Sequence, residues 1–536
     1  MNAIGAILAA GGKPMAVAVN MDALIPREDF EAHAANDDAP PPQTITVRDL
    51  EPTAFFGLAL RKPDFQRETS EWDAKRVAGL VRTFIEGDLI PAVILWKHRE
   101  FLFVIDGSHR LSALIAWVND DYGDGSTSQK FFGHSVPPEQ LDYAVRVRKL
   151  VNQEIGSYAD HLAAAKNPDL FGPDIVARSR ALGSRALNLQ WVRGDAIKAE
   201  ASFTRINQQA ATITPQELEL IKGRRKPAVM AARAIIRRGT GHQYWSNFAT
   251  DVQAEIRSLA QDCYRLLFEP QLSYPIKSLN LPAGGSVYAS PTLRMVYDFV
   301  IMTLGTVTED EDLTGSRTVE FLKRAKRAGE LVLSNAPNSL GLHPAVYFYS
   351  WTGKQQPILF LTMAGVAIDL DRQHKLDDFI DRRARLEQFI ISYRTLLNQI
   401  VRKFGTKDSG KGHLRAFYEK VFAAIDEGKS DAEIVEALTS DKAFTYLQPT
   451  ESPYAGVSPT RYSAQVKSGL VMTSLLDHAP KCPICKGLVP SQAISVDHKK
   501  DRSDGGDSDL FNLQITHPYC NTGYKNRKRH LAKERV

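Results

Sequence analysis

Cysteine is scarce in this chain of 536 residues: there are four, with Cys263 alone and Cys482, Cys485 and Cys520 crowded toward the end. That distribution excludes a disulfide framework and points to a reducing cytoplasm and one metal site. Long apolar runs are missing too. The longest candidates, Ile358 to Leu370 and Val296 to Leu304, fall short of the ~18 residues that a membrane span needs. Charge of one sign is also lacking. Lys plus Arg number 67 against 62 Asp plus Glu, a net +5, which excludes a uniformly basic nucleic-acid coat but leaves room for one basic face. The sequence has no fixed-period repeat and no low-complexity tract. Its first twenty residues lack a basic start and are cut by Gly11-Gly12-Lys13-Pro14, so they make a poor signal peptide. They read as an extension, with Met21 a second candidate start. What is present, 43% hydrophobic and 24% charged residues, is the composition of a folded globular chain. At about 150 residues per domain, the length predicts three or four domains.

Asn36-Asp37-Asp38-Ala39-Pro40-Pro41-Pro42 marks a linker, since no helix or central strand tolerates such a proline run. Residues 1–45 are therefore assigned to an extension and linker. From Ser70, a candidate cap with Asp73 at the capping-box position, Trp72, Val77, Leu80, Val81, Phe84 and Ile85 recur at helical spacing until Gly87. Two apolar runs, Ala92 to Trp96 and Phe101 to Ile105, predict a hairpin. A loop at Asp106-Gly107 and a helix from Arg110 to Trp117 complete an α+β unit. Thr214 as cap, Pro215 and Glu217 mark a further helix start. Residues 226–465 read mainly as helices. The clearest runs from about Asp371 to Phe404, with Leu376, Phe379, Ile380, Leu386, Ile390, Tyr393, Leu397, Ile400 and Phe404 on one stripe. His343, in an apolar segment, reads as a core residue. A loop from Gln448 to Tyr462 precedes the cysteine module.

In that module Cys482-Pro-Ile-Cys485 and His517-Pro-Tyr-Cys520 repeat one spacing. Two such knuckles offer four soft ligands for a tetrahedral zinc. Between them stand Asp497-His498, Gly505-Gly506 and Asn512-Leu513, and Asn521 follows the second knuckle. This ordered set resembles the HNH (His-Me finger, ββα-metal) nucleases in their zinc-knuckle form over residues 478 to 528, with His517 in place of the usual third cysteine. Hydrolysis of a phosphodiester needs a base, and an imidazole with a pKa near ~6.5 serves at physiological pH. The resemblance implies His498 as that base, Asn512 as the residue that orients its ring, and Asp497 with Asn521 as oxygen ligands of Mg²⁺ or Mn²⁺. Lys525, Arg527, Lys528 and Arg529 lie just beyond and are candidate phosphate contacts, against the plainer reading of a solvated helix face.

Near the other end, Asp106-Gly107-Ser108-His109-Arg110 joins a buried strand to a helix start, where backbone amides and an Arg fork favour anions. With Phe65-Gln66-Arg67 upstream and Phe203-Thr-Arg205-Ile-Asn207 downstream, the order resembles the ParB/sulfiredoxin-like fold of GmrSD-type, SspE-like and DGQHR-type proteins over residues 46–225. The resemblance implies a nucleotide site at Asp106, Gly107, Ser108, His109 and Arg110, with Gln66 and Arg67 beside it. Ser108-His109 stands where GmrSD-type relatives usually have two glutamines. His109 also reads as a hydrogen-bonded structural residue, and Arg67 and Arg205 read either as candidates for the same pocket or as surface ion-pair partners.

The expected architecture is multidomain α+β: a ParB-like α+β domain (46–225), a helical module (226–465) and a ββα-metal HNH domain (466–536). The expected protein is a cytoplasmic, metal-dependent DNA endonuclease, with Mg²⁺ or Mn²⁺ at the reacting site, a structural Zn²⁺ and a nucleoside triphosphate at the N-terminal loop. Its partners would be DNA of foreign or modified character, a nucleotide and a further copy of itself, without a membrane. Two other readings stand beside this one, a ParB-like DNA-binding switch without cleavage and an RNA-directed nuclease toxin.

Overall fold

The computed structural model describes residues 20–28, 41–66, 72–132, 134, 136, 138–210, 215–287, 289, 291–304, 310–405, 408–449 and 463–534. Ser70, Thr214, Arg67, most of the 36–42 linker and most of the 448–462 loop lie outside them. The chain divides into two compact units, the first built mainly from residues 1–225 and the second mainly from 226–536.

The first unit is a six-stranded mixed sheet in the order β1-β3-β5-β4-β6-β2. Its strands are β1 (Arg27–Glu28), β2 (Thr44–Ile45), β3 (Leu60–Pro63), β4 (Val93–His98), β5 (Phe101–Asp106) and β6 (Leu187–Trp191). β4 and β5 form the expected antiparallel hairpin, while β3 pairs with β5 and β6 with β4 in parallel. Side chains alternate across a strand, so the two faces carry different cores. Leu95 and Val104 pack against helices α1 (Ala74–Glu86), α2 (Ser108–Asn119) and α3 (Pro138–Glu154). Trp96, Phe103 and Ile105 pack with Phe65 against Ala199 and Phe203 of α4 (Ala196–Ala210) and Ile221 of α5 (Pro215–Lys222). Helix α1 starts at Ala74, where the Asp73 carboxylate accepts the Arg76 amide at 2.9 Å, and it stops at Gly87 in the left-handed region. Residues expected in the extension contribute as well: Met21, Ile25 and Ile45 are buried, and β1 and β2 close the two edges of the sheet.

The second unit is helical apart from one hairpin. The apolar stripe expected as one helix over 371–404 is carried by two, α7 (Leu376–Ser392) and α8 (Arg394–Phe404), while the first residues of that range end α6 (Pro357–Arg372). His374 adopts φ 57° and closes α6, and Tyr393 interrupts the chain between α7 and α8. Both helices bury their apolar faces, so the stripe continues through a break that leaves its period almost intact. His343 is buried, and that burial pushes its imidazole down to about 4. The hairpin is β7 (Ser495–His498) paired antiparallel with β8 (Leu513–Thr516), with Asp497 opposite Gln514 and His498 opposite Leu513. A wide π-helical turn over Cys520–Tyr524 leads into α9 (Lys525–Glu534), which gives the ββα order. Among the described residues, no helix is long and apolar enough to cross a membrane.

Candidate active site and metal centre

The first knuckle is a tight turn in which the Cys482 amide donates to Gly487 O and the Lys486 amide returns to Cys482 O, both at 2.8 Å. That turn aims Cys482 and Cys485 inward. The second knuckle, on the approach to α9, brings His517 and Cys520 to the same point, and the four ligand atoms lie within 4.8 Å of one another, all buried. The His517 Nε2 meets Leu488 O at 2.9 Å, a carbonyl that only an N–H can satisfy, so Nδ1 keeps its lone pair. Nδ1 points at Cys485 Sγ, 3.3 Å away. Hydrogen bonds from Cys485 and Cys520 lower the Cys482 thiol, and the bond to Cys482 raises Cys485 to about 12 and also raises Cys520. Three thiols therefore compete for negative charge in one dry place. A soft divalent cation removes that conflict by holding all three as thiolates, and this donor set fits tetrahedral zinc.

Beneath the knuckle lies a feature that sequence reasoning missed. Arg383 of α7 is fully buried. It donates to Glu387 at 2.8 Å and to the carbonyls of Leu340 and Gly341 at 2.5 and 2.7 Å. Glu387 accepts the Leu488 amide at 2.6 Å and the Tyr347 hydroxyl at 3.0 Å. Gly487 has no side chain because a Cβ there would stand 2.5 Å from Arg383 Nε. The signal was available, for a charged pair four residues apart interrupts the apolar stripe of α7.

β7 ends in the residues with reactive chemistry. Asp497 is 4% exposed, whereas the ring of His498, one residue on, is half-buried. Lys525 of α9 holds both Asp497 oxygens, at 2.7 and 2.9 Å, and also bonds Asp501 at 2.8 Å and His498 O at 3.0 Å. Gln514 donates to the same carboxylate at 2.9 Å. Asn521 turns its NH₂ toward Ser495 Oγ and Val496 O on β7, at 2.9 and 3.1 Å, which leaves its carboxamide oxygen for another partner. A carboxylate and a carboxamide oxygen fit a hard divalent cation by type. Here the carboxylate is already answered by an ammonium, so such a cation must share Asp497 with Lys525.

One expectation needs correction. Asn512 does not orient the His498 ring. Its carboxamide accepts the Lys500 amide at 2.8 Å and donates to Lys500 O and Asp507 O at 2.9 and 2.7 Å, so it clamps the loop between β7 and β8. The ring instead has Ser508 Oγ 3.3 Å from Nε2, and Arg502 donates to that hydroxyl at 2.7 Å. The basic tail exposes Arg527 and Lys528, and its cations lie beside carboxylates. Arg527 grips Asp377 with two bonds of 2.9 and 2.6 Å, and Lys528 lies 3.6 Å from Asp381. Arg529 pairs with Asp501 and Asp504, and Lys525 with Asp497. Sequence reading weighed the cations alone, and their carboxylates are remote in the chain.

In the first unit, Gly107 takes φ 96° between β5 and α2, and a Cβ there would lie 2.9 Å from Val93. Arg110 folds back on Asp106 at 2.6 Å and on Ala92 O at 3.2 Å. Ser108 is buried, and His109 stacks on Trp72 with ring centroids 5.7 Å apart. Three buried polar atoms, Arg110 Nε, Gln66 Oε1 and Ser112 Oγ, have no partner among the described residues. The Gln66 backbone is fixed by Arg27, which pairs with the buried Asp22 at 2.9 Å; the buried Lys62 meets the same carboxylate. Arg205 is exposed on α4, in an open concavity of about 430 Å³ shared with Glu200 and Lys222, and none of the loop residues lines it.

Comparison with known proteins gives two matches. Residues 53–224 match the family model of the GmrSD restriction endonuclease, N-terminal domain, and residues 482–527 match that of the HNH endonucleases. No curated protein and no solved structure matches the chain.

Proposed function

We propose that a chain joining a GmrSD-type N-terminal domain to an HNH endonuclease domain hydrolyses DNA phosphodiesters in the restriction of foreign or modified DNA, gated by a nucleotide at the N-terminal loop. The observation that carries this reading is the half-buried His498 at the end of β7, with Asp497 beside it and Asn521 on the turn that follows the Cys₃His knuckle. A binding module has no need of a solvent-accessible base at that position.

His498 takes the proton from the attacking water at Nε2. Arg502 donates to the Ser508 oxygen, so the hydroxyl proton is free to point at Nε2 and leaves that nitrogen an acceptor. Asn512 fixes the loop that carries Ser508 to this position. Asp497 and Asn521 would hold Mg²⁺ or Mn²⁺, which when bound supplies charge to the leaving 3′ oxygen. Lys525 aims the buried Asp497 through bonds to both of its oxygens. The Cys₃His set takes a structural zinc that ties the hairpin to α9. In the first unit, the unanswered Arg110 Nε and Gln66 Oε1 are groups that a nucleotide's phosphate and base can satisfy.

Plasmid nicking with Mg²⁺ or Mn²⁺ tests the reading. The wild type should cleave at least ~10²-fold faster than His498→Ala, the contribution of a general base. Equal rates in the two would remove the assignment. Binding without cleavage would favour the ParB-like switch, and preferential cleavage of RNA in a mixed substrate would favour the toxin. Modified and unmodified phage DNA, with and without each nucleoside triphosphate, would define what is restricted and what the nucleotide does.

A further inference from the structure

The loop between β7 and β8 carries Leu510 and Phe511 at 79% and 85% exposure. Two adjacent large apolar side chains left in water add nothing to folding. Nor are they on a loose segment. The Asn512 carboxamide clamps the loop at Lys500 and Asp507, the Lys499 amide donates to Asn512 O at 2.7 Å, and the Lys499 ammonium donates to Phe511 O at 2.8 Å. The loop therefore presents an aromatic ring from a clamped backbone, two residues before the one that pairs with His498 across the hairpin.

Charge selects the occupant. Lys525, Arg527, Lys528 and Arg529 of α9 each lie beside a carboxylate. Lys499, Lys500 and Arg502, on the rising limb of the loop beside His498, are exposed and have no carboxylate partner among the described residues. Asp507 and Asp509 stand on the descending limb, so the grip is apolar first and ionic second.

We infer that the Leu510–Phe511 tip is a DNA-gripping element of the proposed nuclease, in which Phe511 stacks on or wedges between bases while Lys499, Lys500 and Arg502 meet the adjoining phosphates. The inference rests on the nuclease reading. Every base has a π-face, so such stacking positions a strand without reading its sequence. The scissile phosphate is thereby placed by a fixed ring within the same loop as Ser508, the partner of His498.

The test is nicking of supercoiled plasmid by the full chain, together with binding of a short 2-aminopurine duplex to proteins carrying His498→Ala. Phe511→Ala should raise KM and Kd about tenfold with kcat near that of the wild type, as expected for the loss of one stacked base. Phe511→Trp should stay within about twofold of the wild type. Because stacking releases no counterions, Phe511→Ala should leave the salt dependence of binding unchanged, whereas Lys499→Ala should reduce the slope by about one. Unchanged KM and Kd in Phe511→Ala, in protein with wild-type circular dichroism, would overturn the inference while His498→Ala, if dead, still upheld the nuclease. If wild-type protein does not cleave, the nuclease reading fails by itself. The tip is then judged on the duplex alone, where equal Kd for Phe511→Ala overturns it.

Discussion

The finger at the end of the chain and the glycine loop at the end of β5 both hold polar groups in dry surroundings, and they differ in whether those groups find one another. In the finger, Cys482, Cys485, His517 and Cys520 converge, and Arg383 and Glu387 beneath them satisfy each other and four backbone groups. In the loop, Arg110 Nε, Gln66 Oε1 and Ser112 Oγ remain unanswered. Buried polar groups are nearly always paired, so the finger is a finished scaffold with a donor set for one ion at its centre, and the loop keeps the unanswered groups on which the proposed nucleotide site rests.

The comparison breaks most decisively at the knuckle. Removing the metal by chelation, or replacing a ligand by Cys482→Ser, should unfold the finger, since a structural zinc supplies roughly 10–16 kcal/mol of apparent folding free energy. Elemental analysis should find one zinc per wild-type chain and none in the variant. Undiminished metal in Cys482→Ser would contradict the assigned ligand set.

Arg383→Met is the next largest effect. It strands the Glu387 carboxylate in a dry site and should cost about 3–5 kcal/mol, while Arg383→Met combined with Glu387→Leu should recover much of that loss. Denaturant unfolding of the three proteins measures both steps. If the single variant were as stable as the wild type, the finger would not be seated on this pair.

The smallest effect sharpens the other side. A nucleoside triphosphate at a hundredfold excess over its Kd should stabilise the first unit by about 2.7 kcal/mol, read as a rise in its thermal midpoint. Arg110→Ala should abolish the rise without altering the sheet's circular dichroism. An undiminished rise in Arg110→Ala would move the nucleotide elsewhere.

What was legible followed from short-range rules. Paired Cys-x-x-Cys spacing depends on chain geometry within one turn, and the runs ending at Trp96 and Ile105 depend on local strand preference, so knuckle and hairpin were readable. The loop at Asp106-Gly107 between strand and helix was readable for the same reason. What was hidden depended on groups far apart in sequence. Asp377 and Asp381 answer Arg527 and Lys528 from about 150 residues upstream, and the two-residue strands β1 and β2 are too short to show alternation. The Asn512 role was misread because a loop clamp and a ring-orienting bond call for the same side chain, and only geometry separates them.

The wide turn over Cys520–Tyr524 has a consequence for how this tail tolerates insertions and deletions. Such a bulge takes up one surplus residue where it stands, so the thread of α9 beyond it keeps the phase of an ordinary helix. Dropping Thr522 or Gly523 would tighten the bulge and leave Lys525 aimed at Asp497. Dropping Asn526 instead would swing everything after it by about 100°. Arg527 and Lys528 would then turn away from α7, and the tail would be free of it.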